Sequence, residues 1–312
     1  MISLIIASAN PEYLKKLKDN IAQTIGVQYE LLITDNKNQK KGLSQMYNEA
    51  ASLAKFELLC FMHEDIEYMT YGWGRILIDT FASRTIGLLG VAGSTYKSLT
   101  PSMWVADGIL GDPVRVNMIQ HFKYTSVSPI QHRINPLKEQ LSQVTTIDGV
   151  WMCMPRYVFE QHRFDEELLP GFHGYDLDLS LQIVGSYPIY VTHEILISHF
   201  SEGNPGRDWM DTILKVHQKH LAKLPLNYAK LPQPIMRTSE KNALKVLLLD
   251  LRRLGYSLPF RLAIMHRFKF YKVLSVIEFI KFYHKILFNK LVQKKTGNYK
   301  ISNEAIPNEI IC

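Results

Sequence analysis

Residues 56–65 read FELLCFMHED. The run from Phe56 to Met62 is almost wholly apolar and stops abruptly at His63, Glu64 and Asp65. A short apolar run bounded in this way suits a strand covered on both faces. The same punctuation occurs twice upstream: Ile2 to Ala7 (ISLIIA) is broken by Ser8, Ala9, Asn10 and Pro11, and Tyr29 to Thr34 (YELLIT) closes on Asp35 and Asn36. Helical patterns lie between these runs. Leu14, Leu17, Ile21 and Ile25 share one face with Gly26 as a stop, and a polar loop to Gly42 leads into a helix carrying Met46, Ala50 and Leu53. A further helix, Trp73 to Ser83, precedes a strand over Ile86 to Val91. The alternation predicts an α/β fold, a Rossmann-like, mostly parallel sheet flanked by helices. Ligands of such sheets bind beyond the carboxyl ends of the strands. Ser8, Asp35 and the His63-Glu64-Asp65 triplet all fall there.

Working outward, residues 94–145 with Pro101, Pro113, Pro129 and Pro136 read as an irregular insertion with hairpins. Thr145 to Met154 (TTIDGVWMCM) is predicted as a strand, followed by a helix start at Pro155. The later part of Gly171–Ile183 (GFHGYDLDLSLQI) is predicted helical, with Leu177, Leu181 and Val184 on one side. Tyr190–Val191 and Ile195–Ile197 are short strands, His199-Phe200-Ser201-Glu202-Gly203 follows, and a helix is expected over Arg207–Lys223. The prolines from Pro225 to Pro234 mark a boundary. The expected organisation is a binding and catalytic domain over 1–224, a proline-rich linker over 225–236, a basic aromatic helical region over 237–300 and a tail over 301–312.

The composition, 46% hydrophobic and 21% charged in 312 residues, is that of a globular chain. The net charge of +7 is local. Residues 237–300 hold 15 Lys/Arg against Glu240, Asp250 and Glu278, so the basic character belongs to the C-terminal region, and no nucleic-acid motif accompanies it. Cys60 and Cys153 sit in apolar runs and read as separate buried thiols of a reducing compartment; with Cys312 they make no disulfide framework. No signal peptide pattern precedes Ile2 and no stretch has the length to span a bilayer, so the active portion is expected to face the cytoplasm.

Four constellations carry chemistry, and each also has a plain structural reading. Carboxylates at 64 and 65, beside an open cleft, suit a divalent cation that also takes diphosphate oxygens; they equally suit capping. Asp35 can accept hydrogen bonds from a nucleotide's base or ribose, or close an Asx-turn with Asn36 beside it. Asp176 and Asp178, after His173-Gly174-Tyr175, lie where a general base would border a cleft and also where acids stabilise a helix start. At i and i+2 they point to different sides, so at most one faces the reacting atoms and the other caps or pairs. His199 ends a strand-like run, as a neutral metal ligand or a core histidine would.

Taken in order, Asp35, His63-Glu64-Asp65, Asp148-Gly149, Tyr175-Asp176 and His199 resemble the family-2 glycosyltransferases of the GT-A fold over residues 2 to about 215. The resemblance implies a metal-dependent transferase that moves a sugar from a nucleotide diphosphate donor to a hydroxyl of a glycan or lipid-linked acceptor, with inversion. It implies Asp35 at the nucleotide base and Ser8, Glu64 and Asp65 on the donor. Asp65 and His199 would hold Mg2+ or Mn2+, and Asp176 would be the catalytic base. Asp148, Gly149, Trp151 and His173 are carried over to the acceptor side, and Asn48 to a structural or donor-loop role. Two departures stand out: His63 replaces the first aspartate of the family's Asp-x-Asp motif, and Tyr175 replaces the glutamate of its Glu-Asp motif.

The C-terminal region lies outside the resemblance. Phe268, Phe270, Tyr271, Phe279, Phe282, Tyr283 and Phe288 interleave with Lys269, Lys272, Lys281, Lys285 and Lys290. That pattern suits an interfacial element on an anionic membrane, or a helical hairpin packed on the catalytic domain with a solvated basic face. A sugar-phosphate nucleotidyltransferase, the competing enzyme class, would carry a glycine-rich basic signature after the first strand, where this chain has Ser8-Ala9-Asn10-Pro11. A non-catalytic glycan-binding or membrane-assembly member of the fold is the alternative outside enzymes.

Overall fold

The computed structural model describes residues 1–37, 41–123, 127–201 and 206–288. Glu202, Gly203, Lys290 with the rest of the basic segment beyond 288, and the 301–312 tail with Cys312 lie outside the described residues.

The chain opens with β1 (Ile2–Ser8), α1 (Pro11–Thr24), β2 (Tyr29–Asp35), α2 (Leu43–Leu53), β3 (Leu58–Met62), β4 (Ile66–Tyr68), α3 (Trp73–Ser83) and β5 (Leu88–Gly90). The insertion holds β6 (Ala92–Ser94), β7 (Tyr96–Lys97), β8 (Val114–Gln120), β9 (Ile130–Ile134), β10 (Leu141–Val144) and β11 (Thr146–Ile147). Then come β12 (Trp151–Pro155), α4 (Arg156–Gln161), α5 (Tyr175–Ile183), β13 (Ile189–Thr192), β14 (Ile197–His199), α6 (Arg207–Lys219) and β15 (Leu226–Asn227). Among the described residues, three α-helices follow, α7 (Gln233–Arg253), α8 (Leu258–Arg267) and α9 (Val276–Leu287), with a 3-10 turn over Phe270–Lys272 between the last two.

The main sheet has seven strands in the order β10-β13-β5-β12-β3-β1-β2. β1, β2, β3, β5 and β13 share one direction; β12 and β10 run against them. The continuous apolar runs have the expected cause. Ile5, Leu59, Phe61, Met152 and Met154 point into one core, and Leu4, Ile6, Leu58, Cys60 and Met62 into the other. Pro11 and Asn10 start α1: the Asn10 side chain accepts the Glu12 and Tyr13 amides at 3.0 and 3.4 Å.

The structure corrects three expectations. Thr145–Met154 is not one strand. It breaks at Asp148-Gly149-Val150, so that β11 pairs with β6 in a second sheet and β12 joins the main one. The cause is local: Asp148 Oδ1 accepts the Val150 amide at 2.8 Å, turning the backbone. Cys60 and Cys153 are not separate thiols. They stand opposite each other on β3 and β12 and form a disulfide. The helix expected over Arg207–Lys223 stops at Lys219.

Segment 225–236 is integrated into the fold, with β15 pairing β7 and α7 starting at Gln233. Beyond it, Leu244, Leu247, Leu248, Leu251, Phe268 and Phe270 join the same core as Phe61 and Leu177. Glu240 on α7 is 1% exposed. Its carboxylate accepts the Tyr96 hydroxyl at 2.7 Å, the Leu99 and Thr100 amides at 2.8 and 3.1 Å, and the Thr100 hydroxyl at 2.8 Å. Full satisfaction is what permits a buried carboxylate there. No helix among the described residues is long and apolar enough to cross a membrane.

Candidate active site

Asp65 follows β3, and β14 pairs antiparallel with β4 so that His199 stands opposite Ile66. That register brings together residues far apart in the chain. His199 Nε2 lies 3.7 Å and His63 Nδ1 3.8 Å from the same oxygen, Asp65 Oδ1. Ligand atoms of His63, Asp65 and His199 all fall within 4.8 Å of one another. Each imidazole is oriented from behind. His199 Nδ1 meets Gln120 Oε1 at 3.1 Å, and His63 Nε2 meets the Tyr175 hydroxyl at 2.8 Å. With Nδ1–H of His199 donating to Gln120, Nε2 presents its lone pair toward Asp65. Such partners behind the ring fix the tautomer of metal-ligating histidines. The set fits a divalent cation.

Tyr175, the first residue of α5, passes the order on. Burial, with Tyr47 and Asp176 beside it, raises its hydroxyl well above 10.0, so it stays protonated and donates to the Gly149 carbonyl at 3.1 Å. The same residue also meets the neighbouring carboxylate: Asp176 Oδ2 accepts the Gly149 amide at 3.1 Å. Gly149 has to be glycine, because a Cβ there would run into the Tyr175 hydroxyl. Burial and the neighbouring Asp148 push the Asp176 carboxyl up to about 7, against the backbone amides that lower it. A carboxylate poised there is suited to general-base chemistry at neutral pH.

Asp178 faces the other way. It accepts from His220 Nε2 at 2.7 Å, Lys219 at 2.9 Å and Gln182 at 2.7 Å. Burial pushes its carboxyl up, but the hydrogen bonds from His220 and Lys219 win and hold it below 3.8.

A cavity of about 410 Å3 opens over His63, Glu64 and Asp65, lined also by Asn10, Tyr13, Asn36, Tyr47, Lys123 and Phe172. A larger recess of about 590 Å3, lined by Met1, Glu57, Arg84 and Tyr157, lies at the opposite ends of the strands. The chemistry gathers at the carboxyl ends, as the fold requires.

Other residues singled out in the sequence take different places. Glu64 accepts the Ser8 hydroxyl and the Ala9 and Asn10 amides, at 3.0 and 2.9 Å for the amides, so Ser8 and Glu64 together tie the end of β1 to the end of β3. Asp35 Oδ1 accepts the Lys37 amide at 2.8 Å, the Asx-turn geometry, and Asn36 rather than Asp35 lines the cavity. Trp151 is fully buried, its indole donating to the Tyr68 hydroxyl at 2.7 Å, which makes it a core residue out of reach of an acceptor. His173 is partly buried, which lowers its pKa, while Asp208 pulls the other way. Asn48 holds the Phe164 carbonyl and Glu166 at 2.9 and 2.6 Å, a structural role.

The sequence model of the glycosyltransferase-like family matches residues 3–200, well over half of the chain. The chain belongs to that family. As a glycosyltransferase it also shares the GT-A fold with solved structures. S. aureus TarS 1–349 superposes with a TM-score of 0.53 at 12% identity, over 93% of this chain and 88% of that one. The same protein in complex with UDP gives 0.52 at 12% identity, over 93% and 88%. Mannosyltransferase PcManGT from Pyrobaculum calidifontis, in complex with GDP-Man and Mn2+, gives 0.44 at 14%, over 93% and 87%. At these identities the likeness is one of fold. No curated protein matches the chain.

Proposed function

We propose that this glycosyltransferase takes a sugar from a nucleoside diphosphate sugar, with a divalent cation, and transfers it with inversion to a hydroxyl of a glycan or lipid-linked acceptor. The observation that carries the reading is the His63, Asp65, His199 cluster, whose His63 and Asp65 line a cavity at the carboxyl ends of the strands. The complex of S. aureus TarS with UDP supports a nucleoside diphosphate in that cavity.

Asp65, His199 and His63 would hold the cation, which when bound supplies Lewis-acid neutralisation of the leaving diphosphate. Two imidazoles and one carboxylate suit Mn2+ better than Mg2+, which prefers an oxygen shell. Lys123, at the cavity wall, adds positive charge for the same diphosphate. Asp176 takes the proton of the acceptor hydroxyl as that oxygen forms its bond to the anomeric carbon. The bond from that carbon to the diphosphate oxygen breaks on the opposite face, and the configuration inverts. Tyr175 keeps His63 and the Gly149 peptide in register while this happens.

Titration calorimetry of a nucleotide sugar with Mn2+, with Mg2+ and with EDTA tests the site. Binding should need a cation and be tighter with Mn2+, and Asp65→Asn should lose most of that dependence while melting like the wild type. Unchanged affinity in Asp65→Asn with Mn2+ would remove Asp65 from the metal site.

A further inference from the structure

Helix α9 has two unlike faces. Phe282 and Ile286 are buried, with Phe279 and Tyr283 packed against the same core. The opposite face carries Val276, Ile277, Ile280, Leu287 and Phe288, which are 76, 65, 60, 47 and 60% exposed. With a turn of 3.6 residues these positions form one stripe along the helix, interrupted by His284, whose ring lies against Phe288. Large apolar side chains gathered on one exposed stripe mark a contact surface, whereas scattered ones do not.

The exposed charges that α9 and the turn before it place beside the stripe are basic. Lys281 and Lys285, one turn apart, are exposed beside it, and Lys272 is exposed just before the helix. Glu278, the single acid in the sequence of α9, is turned inward. It caps Ser275 and pairs with Lys241 at 3.0 Å and Arg237 at 3.4 Å. Among the described residues of α9, the outer face is therefore apolar with a basic margin and carries no carboxylate.

We propose that the outer face of α9 docks the enzyme on an anionic lipid surface, with Ile277, Ile280, Leu287 and Phe288 entering the boundary between headgroups and acyl chains and the lysines meeting lipid phosphates. An amphipathic helix with lysines at the edge of its apolar face lies in the interface plane in this way. Charge selects this occupant over a second copy of the chain. A two-fold contact through the same stripe would put the Lys281 and Lys285 margins of both copies into one interface, with no outward acid on α9 to relieve the repulsion. The two expectations for the C-terminal region thereby become two faces of one helix: the inner face packs on the catalytic body, and the outer face meets the membrane.

The test is co-sedimentation of the full chain with vesicles of phosphatidylcholine alone or mixed with phosphatidylglycerol, at low and high salt. Wild type should bind the mixed vesicles at low salt, be released by salt and leave pure phosphatidylcholine unbound. Lys281→Glu with Lys285→Glu should cut partitioning by roughly 30-fold or more, since each lysine near an anionic surface contributes about a factor of five. Ile277→Ser with Ile280→Ser and Leu287→Ser should abolish binding. All these side chains are exposed, so both variants should melt with the wild type, and that is checked alongside. Equal binding to both vesicle types, wild-type binding by either variant, or no binding of wild type overturns the proposal. A concentration-dependent dimer that the triple-serine variant dissolves, without lipid binding, would assign the stripe to a second copy instead.

Discussion

Replacing Asp176 with asparagine exchanges a carboxyl held at about 7 for an amide of the same shape. The amide oxygen can still accept the Gly149 N–H. In the unfolded chain the carboxyl ionises at its ordinary 3.8, so folding takes up a proton between that value and about 7. A raised native pKa means stability that is fully present below 3.8, falls as pH rises and is lost once pH passes about 7. Each unit of the gap is worth about 1.4 kcal/mol, so the whole gap corresponds to about 4 kcal/mol as a ceiling. Asp176 keeps part of its surface in solvent, and screening brings the expected figure to about 2 kcal/mol. Asp176→Asn cannot ionise and escapes this loss. It should match wild type at about pH 4 and overtake it progressively, with the gain levelling off above about pH 7. Urea unfolding of both proteins across that range, in EDTA and without donor, measures the difference. Single-turnover transfer at saturating donor should meanwhile fall by roughly 10²- to 10⁴-fold, the usual contribution of a positioned base. A variant less stable than wild type at about pH 8, or a difference that does not change with pH, would refute the raised pKa. Near-normal transfer would refute the role as base.

Tyr175→Phe removes the hydroxyl that joins His63 to the Gly149 carbonyl. Mn2+ affinity, read by calorimetry or by the spin-resonance signal of the ion, should drop by roughly 10- to 100-fold, as when the partner behind a ligating histidine is lost. An unchanged affinity would detach His63 from the metal. Asp178→Asn should act on stability instead, because it leaves His220 at a buried site without its carboxylate and Lys219 with Asp165 alone. A loss of about 1–3 kcal/mol in urea unfolding is expected, with near-normal turnover of the folded fraction. A selective loss of turnover at unchanged stability would count against that division of labour between Asp176 and Asp178.

The frame of the fold was legible because strands buried on both faces leave a continuous apolar signature, as in Ile2–Ile6 and Leu58–Met62, and because polar residues stop them at the functional edge. The antiparallel return of β12 was not legible, since the turn at Asp148-Gly149 interrupts a run whose pattern on either side is equally strand-like. Asp65, His199 and Asp176 were singled out through their order in the chain. His63 as a possible third ligand was hidden, because its orientation depends on Tyr175, 112 residues away, and the tyrosine looked like a lost glutamate. Gln120 gave no signal at all; it comes from the irregular insertion, and pairing of β8 with β14 brings it to His199. Trp151 misled in the opposite direction: two residues after Gly149 in sequence, it points into the core because side chains alternate along a strand. Cys60 and Cys153 showed their apolar surroundings but not their register, which only the pairing of β3 with β12 supplies.

The Glu240 carboxylate has a consequence for how this protein can be divided or inherited. It sits on α7, yet its four bonds all go to residues 96–100 of the insertion. Beside it Lys97 is fully buried; burial pushes its ammonium down to about 7, and Glu240 is the first charge to pull it back up. A chain cut ahead of α7 would strand the Leu99 and Thr100 amides and leave Lys97 without its main counter-charge. The loss would fall on the catalytic half, not on the piece removed. Nor could the C-terminal helices be exchanged with those of a relative as an independent cassette. The recipient would also need an acceptor-hungry segment like Tyr96–Thr100 in the matching place, so lineages that swap or shed these helices should show compensating changes in the insertion.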